Sequence, residues 1–142
     1  MIHIILGKAI FEKLSNDPQV QAIVDNRIYP IISPDESYPL IVYNVSRQPD
    51  DSIDPPALIE YNLTISIVSR GYYETCALGN AVIDALDRQH GTWAEIAIRS
   101  CNLSEPTVDG VESDGGNVES IFYTQEQTYK VFARPELSIS RS

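Results

Sequence analysis

The sequence is poor in the residues that most metal and catalytic sites use. Its 142 residues include two cysteines, two histidines, one methionine and one tryptophan. No secretory signal is evident, so Cys76 and Cys101 are expected to be reduced thiols and not a disulfide framework. A zinc site needs clustered ligands, and no Cys-x-x-Cys, His-x-x-x-His or His-Glu-x-x-His spacing occurs. We therefore predict no metal site and no cofactor.

Positive charge is also scarce. Ten Lys and Arg residues stand against twenty Asp and Glu residues, which gives a formal net charge of -10. No basic residue lies between Arg99 and Lys130. Because phosphate contacts need clustered Lys and Arg, free binding to nucleic acid is disfavoured. An acidic surface can still serve DNA by repelling it, as the wall of a conduit must.

Long apolar runs are absent from the sequence. Residues 1–6 are apolar, but they lack a basic flank and soon give way to Lys8 and Glu12. This segment is expected to begin an amphipathic helix and not to serve as a targeting signal. No other run approaches the roughly 18 apolar residues of a membrane span. We expect a protein that is made in a cytoplasm and makes no membrane contact.

Motifs for catalysis are missing as well. His3 and His90 fall at the ends of predicted helices, and Cys76 falls on a predicted buried stripe, where a thiol is inert. Acidic pairs such as Asp50-Asp51 lie in hydrophilic segments, where carboxylates are usually only solvated. No Gly-x-Gly-x-x-Gly or Gly-x-x-x-x-Gly-Lys motif follows a strand. The sequence predicts that the protein is not an enzyme, with a site assembled from loop carboxylates across subunits as the remaining enzymatic alternative.

Hydrophobic periodicity predicts three helical segments. The first runs roughly from Ile2 to Ser15, with apolar residues at four-residue spacing. The second is a short turn that Asp17 caps and Pro18 begins. The principal helix extends over 72–89, and its mid-helix Gly79 is interpreted as a point of close packing on a sheet.

Alternating apolar and polar residues predict four strands, Leu40 to Ser46, Ile59 to Val68, Thr92 to Leu103 and Val118 to Ala133. An irregular connector at 31–38, a projecting loop at 48–56 and a second long loop at 104–117 separate them. The fold class expected is α+β: a four-stranded, mainly antiparallel sheet with two main helices packed on one face, plus a short N-terminal helical turn. Residues 1–133 are expected to form one domain, and residues 134–142 a mobile C-terminal tail without a pattern.

An ordered series of short motifs resembles a known protein family. It consists of the segment Asp17-Pro18-Gln19-Val20-Gln21-Ala22-Ile23-Val24-Asp25, then Arg27-Ile28-Tyr29-Pro30, then Tyr38-Pro39-Leu40-Ile41-Val42-Tyr43. The acidic loop around Asp50, the strand from Ile59 and the helix at 72–86 continue the series. In this order the motifs resemble the tail-completion, or tail-terminator, proteins of long-tailed bacteriophages over roughly residues 3–133.

The resemblance implies a structural role in the virion. Such proteins form a ring, commonly a hexamer, on the last ring of the tail tube, stop tube growth and present a surface to the head-side connector. DNA passes through the lumen only in transit. The implied partners are other copies of the chain, the tail tube protein and a connector or adaptor protein. A neck adaptor or head-closure protein, and a component of a phage-derived injection machine, are the alternatives.

The two long loops and two boundary tyrosines are the predicted interface. Loops of this length are usually functional or disordered, and a tyrosine at an element boundary can pack its ring while its hydroxyl stays wet. The alternative for the tyrosines is that they seal the edges of their own domain. The predicted contact residues are Gln48, Asp50, Asp51, Asp54, Glu105, Asp109, Glu112, Asp114, Tyr29 and Tyr38.

Overall fold

The described part of the chain contains three helices and seven strands. The computed structural model describes residues 5–32, 37–49, 58–113 and 121–134. The helices are α1 (Leu6–Ser15), α2 (Pro18–Val24) and α3 (Tyr72–Leu86). The strands are β1 (Ile28–Pro30), β2 (Leu40–Arg47), β3 (Ile59–Ser69), β4 (Gln89–Trp93), β5 (Ile96–Leu103), β6 (Val108–Ser113) and β7 (Ile121–Ala133).

Helix α2 begins where local chemistry predicts. The Asp17 carboxylate accepts a hydrogen bond from the Val20 amide at 3.1 Å, and Pro18 occupies the first turn of α2. Both features satisfy the unpaired amides of a helix start. In α1 the residues Leu6, Ala9, Ile10 and Leu14 are buried, which confirms the predicted apolar face.

The strands form one curled, mixed sheet in the order β1-β2-β3-β7-β5-β4, with β6 also paired to β7. Strand β1 runs parallel to β2, and the other pairs are antiparallel. Strand β7 is central, because β3 lies along one side of it over eleven residue pairs while β5 and β6 share the other side. Helix α3 packs on β3, β5 and β7, and α1 packs on β1, β2 and β4.

The prediction of a four-stranded sheet with two main helices is wrong. Strands β2, β3 and β7 were predicted, and the segment predicted as one strand at 92–103 is instead the hairpin of β4 and β5. Its two-residue turn is Ala94-Glu95, with both φ angles positive, at 50° and 66°. The carboxylate of Glu12 accepts from the Ala94 amide at 2.9 Å and so holds the turn to α1. Neither turn residue belongs to the Gly and Asn types that mark such hairpins.

Two further strands lie where connectors were predicted. Strand β1 occupies the Arg-Ile-Tyr-Pro motif, and β6 occupies much of the predicted loop at 104–117. Strand β1 has only three residues, and β6 has no buried residue at all. Strand β1 is held by its parallel pairing with β2, and β6 by its antiparallel pairing with β7, the next strand along the chain. Neither pairing requires the alternating burial that marks a strand in the sequence.

The core lies between the helices and the sheet. Alternate residues of β3 from Ile59 to Ser69 are buried, as the alternation predicted. Gly79 of α3 lies against β7, where a Cβ atom would overlap the Gln125 side chain. The interpretation of Gly79 as a point of close packing is therefore confirmed.

Candidate interaction surfaces

Two of the predicted contact residues, Gln48 and Asp109, lie towards opposite ends of strand β3. Gln48 follows β2, and its amide donates to the Glu60 carbonyl at 2.9 Å, near the start of β3. Asp109 lies opposite Gln125, which lies opposite Ile67 near the end of β3. The seven residue-to-residue steps from Glu60 to Ile67 span about 23 Å at the rise of a strand. Asp50, Asp51, Asp54 and Asp114 lie outside the described residues.

The Gln48 end carries a small polar hollow. Arg47, Gln48 and Pro49 line it together with Leu58, Ile59, Glu60 and Phe132. The Gln48 side chain donates to the Ser46 hydroxyl at 3.4 Å, and Lys130 forms an ion pair with Glu60 at 3.4 Å. An exposed pair of this kind contributes little to stability, about 0–1 kcal/mol. These side chains are therefore available for exchange with a partner's polar groups.

At the opposite end, Asp109 joins β6 to the body of the protein. One carboxylate oxygen accepts from the Tyr72 hydroxyl at 3.1 Å, and the other accepts from the Gln125 side chain at 2.9 Å. Hydrogen bonding with the Cys76 thiol and then with Asp109 raises the pKa of Tyr72 to about 12. The phenol thus stays protonated and keeps donating at neutral pH. Asp109, which was predicted as a contact residue, also holds its own strand in place.

The hydrogen bonds of Asp109 continue into the core along β7. The Gln127 side-chain amide donates to the Gln125 side chain at 2.8 Å and to the Gly79 carbonyl at 3.0 Å. The Tyr129 hydroxyl donates to the Gln127 side chain at 2.7 Å. We call this series, from Tyr129 through the two glutamines to Asp109, the β7 polar chain. Gln127 and Tyr129 are fully buried, and burial raises the pKa of Tyr129.

The β7 polar chain explains two residues that break the apolar pattern of β7. Gln125 and Gln127 have the same parity as the buried residues of the strand, and both are buried. A buried amide without partners would cost about 1–3 kcal/mol. Here the Gln125 amide donates to Asp109, and the Gln127 amide donates to Gln125 and Gly79. The β7 polar chain therefore crosses the core without an isolated amide at these two positions.

The remaining predicted residues occupy varied surroundings. The ring of Tyr38 packs on Phe122 with a centroid separation of 4.8 Å, and the Arg70 guanidinium lies 5.3 Å from the Tyr38 ring. Tyr38 therefore helps to close its own fold. Tyr29 is half-buried on β1, whereas Glu105 and Glu112 are exposed.

Exposed apolar side chains that the sequence reasoning did not single out lie beside Asp109. Val108 and Val111 of β6 are 60% and 61% exposed. Tyr73 is 85% exposed, and its ring contacts Tyr72, which in turn contacts Tyr123. We call Tyr72, Tyr73 and Tyr123 the tyrosine ledge. The two valines were not found because they lie in the segment at 104–117 that was predicted to be a loop.

A second apolar surface lies at the start of α1. An open cleft of about 550 Å³ is lined by apolar side chains that include Ile5, Phe11 and Pro30. Ile31 and Ile32, which follow β1, are 71% and 74% exposed. Contiguous apolar surface of this kind marks interaction sites in soluble proteins.

The described residues offer little for bond-making chemistry. Within them, no group of three or more His, Cys, Asp or Glu side chains is placed to hold a metal ion. Burial, with the charge of Asp87, raises the pKa of Cys101 to about 12, so this thiol is a poor nucleophile at neutral pH. Among the described helices, none has the length and apolar character needed to cross a membrane.

Comparison with known proteins identifies a matching family and a similar solved structure. Residues 8–122 match the profile of the family described as tail completion protein gp17. Among solved structures, the chain is similar to one chain of the structure titled "Virion of native gene transfer agent (GTA) particle", with a TM-score of 0.59 and 15% sequence identity. The match covers 88% of this chain and 91% of that chain. At this identity the likeness shows a shared fold alone. No curated protein sequence matches the chain.

Proposed function

Because the chain belongs to the tail completion protein gp17 family, whose members are structural components of the virion, we propose that it forms a ring on the end of a phage tail tube. The ring, a hexamer in this proposal, caps the last ring of tube subunits, stops further growth and joins the tail to the head-side connector. The subunit is assembled in the host cytoplasm and resides at the tail end or neck of the virion.

The separation of Gln48 from Asp109 is the observation that supports this proposal. A subunit placed between a tube and a connector needs two different contact surfaces at a distance from each other. The Gln48 end and the Asp109 end lie about 23 Å apart along β3. They also differ in chemistry, since one end has a small polar hollow and the other has exposed valines and tyrosines.

The charge of the chain supports the same proposal. A formal net charge of -10 disfavours retention of DNA, because like charges repel. A ring of six copies would carry about six times this charge, and part of it would face the lumen. DNA would then pass through without being held.

The test uses virions assembled without this protein. We expect tails that lack fixed ends and do not join heads, with tube lengths that vary more widely in electron micrographs. Adding the purified protein should restore uniform, joined tails. Tails of normal length and joining yield in its absence would refute the proposal.

Loop replacements then separate the two ends. Residues 50–57 are exchanged for a short Gly-Ser linker in one variant, and residues 114–120 in another. The second exchange stops short of β6, because removing Asp109 would also break the β7 polar chain. Each variant should remain folded by circular dichroism and lose one contact, either to the tube or to the connector. Normal particle yield from both would show that these loops make neither contact.

The position of the subunit in the particle distinguishes a terminator from a neck adaptor. Electron microscopy of particles that carry a tagged subunit should place the tag at the junction with the last tube ring. A tag one level higher, against the portal, would assign the adaptor role instead.

A further inference from the structure

Strand β6 has an open side. It pairs with β7 along one side, and no strand of the described residues pairs with the other. All six of its residues are exposed. An open edge presents unpaired amides and carbonyls and is a template for another strand. Natural proteins protect such edges with charge or with a cover. Strand β6 carries two acidic residues, Asp109 and Glu112, but it also exposes Val108 and Val111.

The open side of β6 is preorganised for a partner. Asp109 fixes the strand to Tyr72 and to Gln125, so it does not need to be ordered on binding. Val111 lies opposite Tyr123, so both side chains share one face of the sheet. A strand added beside β6 would therefore meet Val111 and the tyrosine ledge on that face. Strand addition of this kind gains affinity from backbone pairing and specificity from alternate side chains.

The tail at 134–142 was predicted to have no pattern, but its residues 137–142 do alternate in a way that complements β6. In residues 137–142 the side chains Leu137, Ile139 and Arg141 alternate with three serines. Strict alternation over such a length is the pattern of a strand with one apolar side. Arg141 adds a positive charge, whereas β6 carries Asp109 and Glu112.

The geometry points to an occupant from another copy of the chain. Residue 134 lies at the far end of β7, where its amide donates to the Ala97 carbonyl. The nearest residue of β6, Val108, lies opposite Glu126, eight residues back along β7 or about 26 Å. Residues 135–142 span about 26 Å when fully extended. Residues 137–142 therefore cannot extend far enough from residue 134 to pair along the β6 strand of their own copy.

We propose that residues 137–142 of one copy add as a strand to the open side of β6 of a neighbouring copy, with Leu137 and Ile139 against Val111 and the tyrosine ledge. This proposal rests on the proposed ring for the presence of a neighbour. The contact joins two different surfaces, so each copy gives one strand and receives one. Such head-to-tail contacts generate a ring when the rotation closes.

The first experiment is site-specific cross-linking between full-length copies. One copy carries Val111→Cys and the other carries Ile139→Cys, each with Cys76→Ser, and one copy is labelled with ¹⁵N. Mild oxidation should give a disulfide between labelled and unlabelled chains. Ser140→Cys points to the opposite face and is the matched control, expected to cross-link at least about tenfold more slowly. Equal cross-linking by both positions, or none, would overturn the proposal.

The second experiment compares two double variants with the same change in charge. Leu137→Asp with Ile139→Asp removes the apolar side of the segment, whereas Ser138→Asp with Ser140→Asp leaves it intact. Light scattering should show that the first variant raises the dissociation constant of the assembly at least about tenfold, since two buried aliphatic contacts are lost. The second should change it by less than about threefold. Equal effects would refute the strand assignment.

The combined results of these experiments distinguish the proposed strand exchange from the proposed ring. If the ring persists in Leu137→Asp with Ile139→Asp, and copies with Val111→Cys and Ile139→Cys form no disulfide, strand exchange is refuted and the proposed function stands. A wild-type chain that stays monomeric with its tube partner, and does not cross-link, refutes both. A disulfide within a dilute single chain that carries Val111→Cys and Ile139→Cys would show that the segment covers its own edge.

Discussion

Gly79→Ala should destabilise this protein, although the same change usually stabilises a helix interior. Gly79 lies in the middle of α3, where alanine is favoured by about 1 kcal/mol. An added Cβ would overlap the Gln125 side-chain oxygen and approach its Cδ to 2.9 Å. Gln125 is held by Asp109 and by Gln127, so it cannot turn away without losing hydrogen bonds.

The magnitude follows from the hydrogen bonds at stake. The bond between the two glutamines contributes about 1 kcal/mol, and the bond to the Asp109 carboxylate about 1.5–3 kcal/mol. If Gln125 is displaced, the cost is about 3 kcal/mol, and the gain in helix propensity offsets about 1 kcal/mol. We therefore expect the free energy of unfolding to fall by about 2 kcal/mol.

Urea unfolding, followed by the fluorescence of the single, buried Trp93, measures this change. The matched control is Gly79→Ala in a Gln125→Ala background, where the overlap is gone and the substitution should stabilise by about 1 kcal/mol. The sign of the effect therefore reverses, with a coupling energy of about 3 kcal/mol. Stabilisation in both backgrounds would show that Gln125 does not fill the space above Gly79.

Two further predictions concern buried groups. Tyr129→Phe removes the donor to the Gln127 side chain in a fully buried position, so the free energy of unfolding should fall by about 1–3 kcal/mol; an unchanged urea midpoint would contradict the bond. Cys76 was predicted to be buried and inert, but it is only half-buried, so iodoacetamide at pH 8 should modify Cys76 and spare Cys101, as mass spectrometry can show. Equal labelling of both thiols at pH 8 would refute the burial of Cys101. Because the folded-state pKa of Cys101 is raised from 9.0 to about 12, the contribution of this thiol to stability is complete below pH 9 and is lost as pH rises towards 12.

The sequence predicts the buried parts of this fold well. Strand β3 alternates because one of its faces lies in the core, and α1 shows its stripe for the same reason. The cap of α2 depends on Asp17 and Pro18, which are adjacent in sequence. Each of these signals is local, and burial imposes the pattern on it.

The parts that were missed depend on pairing without burial. Strand β6 has no buried residue, and Gly110 with two acidic residues made it look like a loop. It is a strand because β7 pairs with it. The burial of Gln125 and Gln127 was hidden for a related reason, since their partners come from each other and from α3 and β6.

The candidate surfaces were predicted only in part. Asp109 and Glu112 were selected for charge and loop length, and they lie beside the exposed valines and the tyrosine ledge. Gln48 lies towards the other end of β3, a separation that no local pattern encodes. The roles of all the selected residues in contacts with other proteins remain predictions.

The central position of β7 has a consequence for biosynthesis. Within the described chain, this strand alone joins the half of the sheet that contains β3 to the half that contains β5 and β6, yet the ribosome makes it after every other strand. Until residues 121–133 emerge, three strands lack a neighbour on the side that β7 will occupy. Nascent polypeptides that lack β7 are therefore exposed to edge-to-edge aggregation, and the sheet cannot be completed until β7 has emerged.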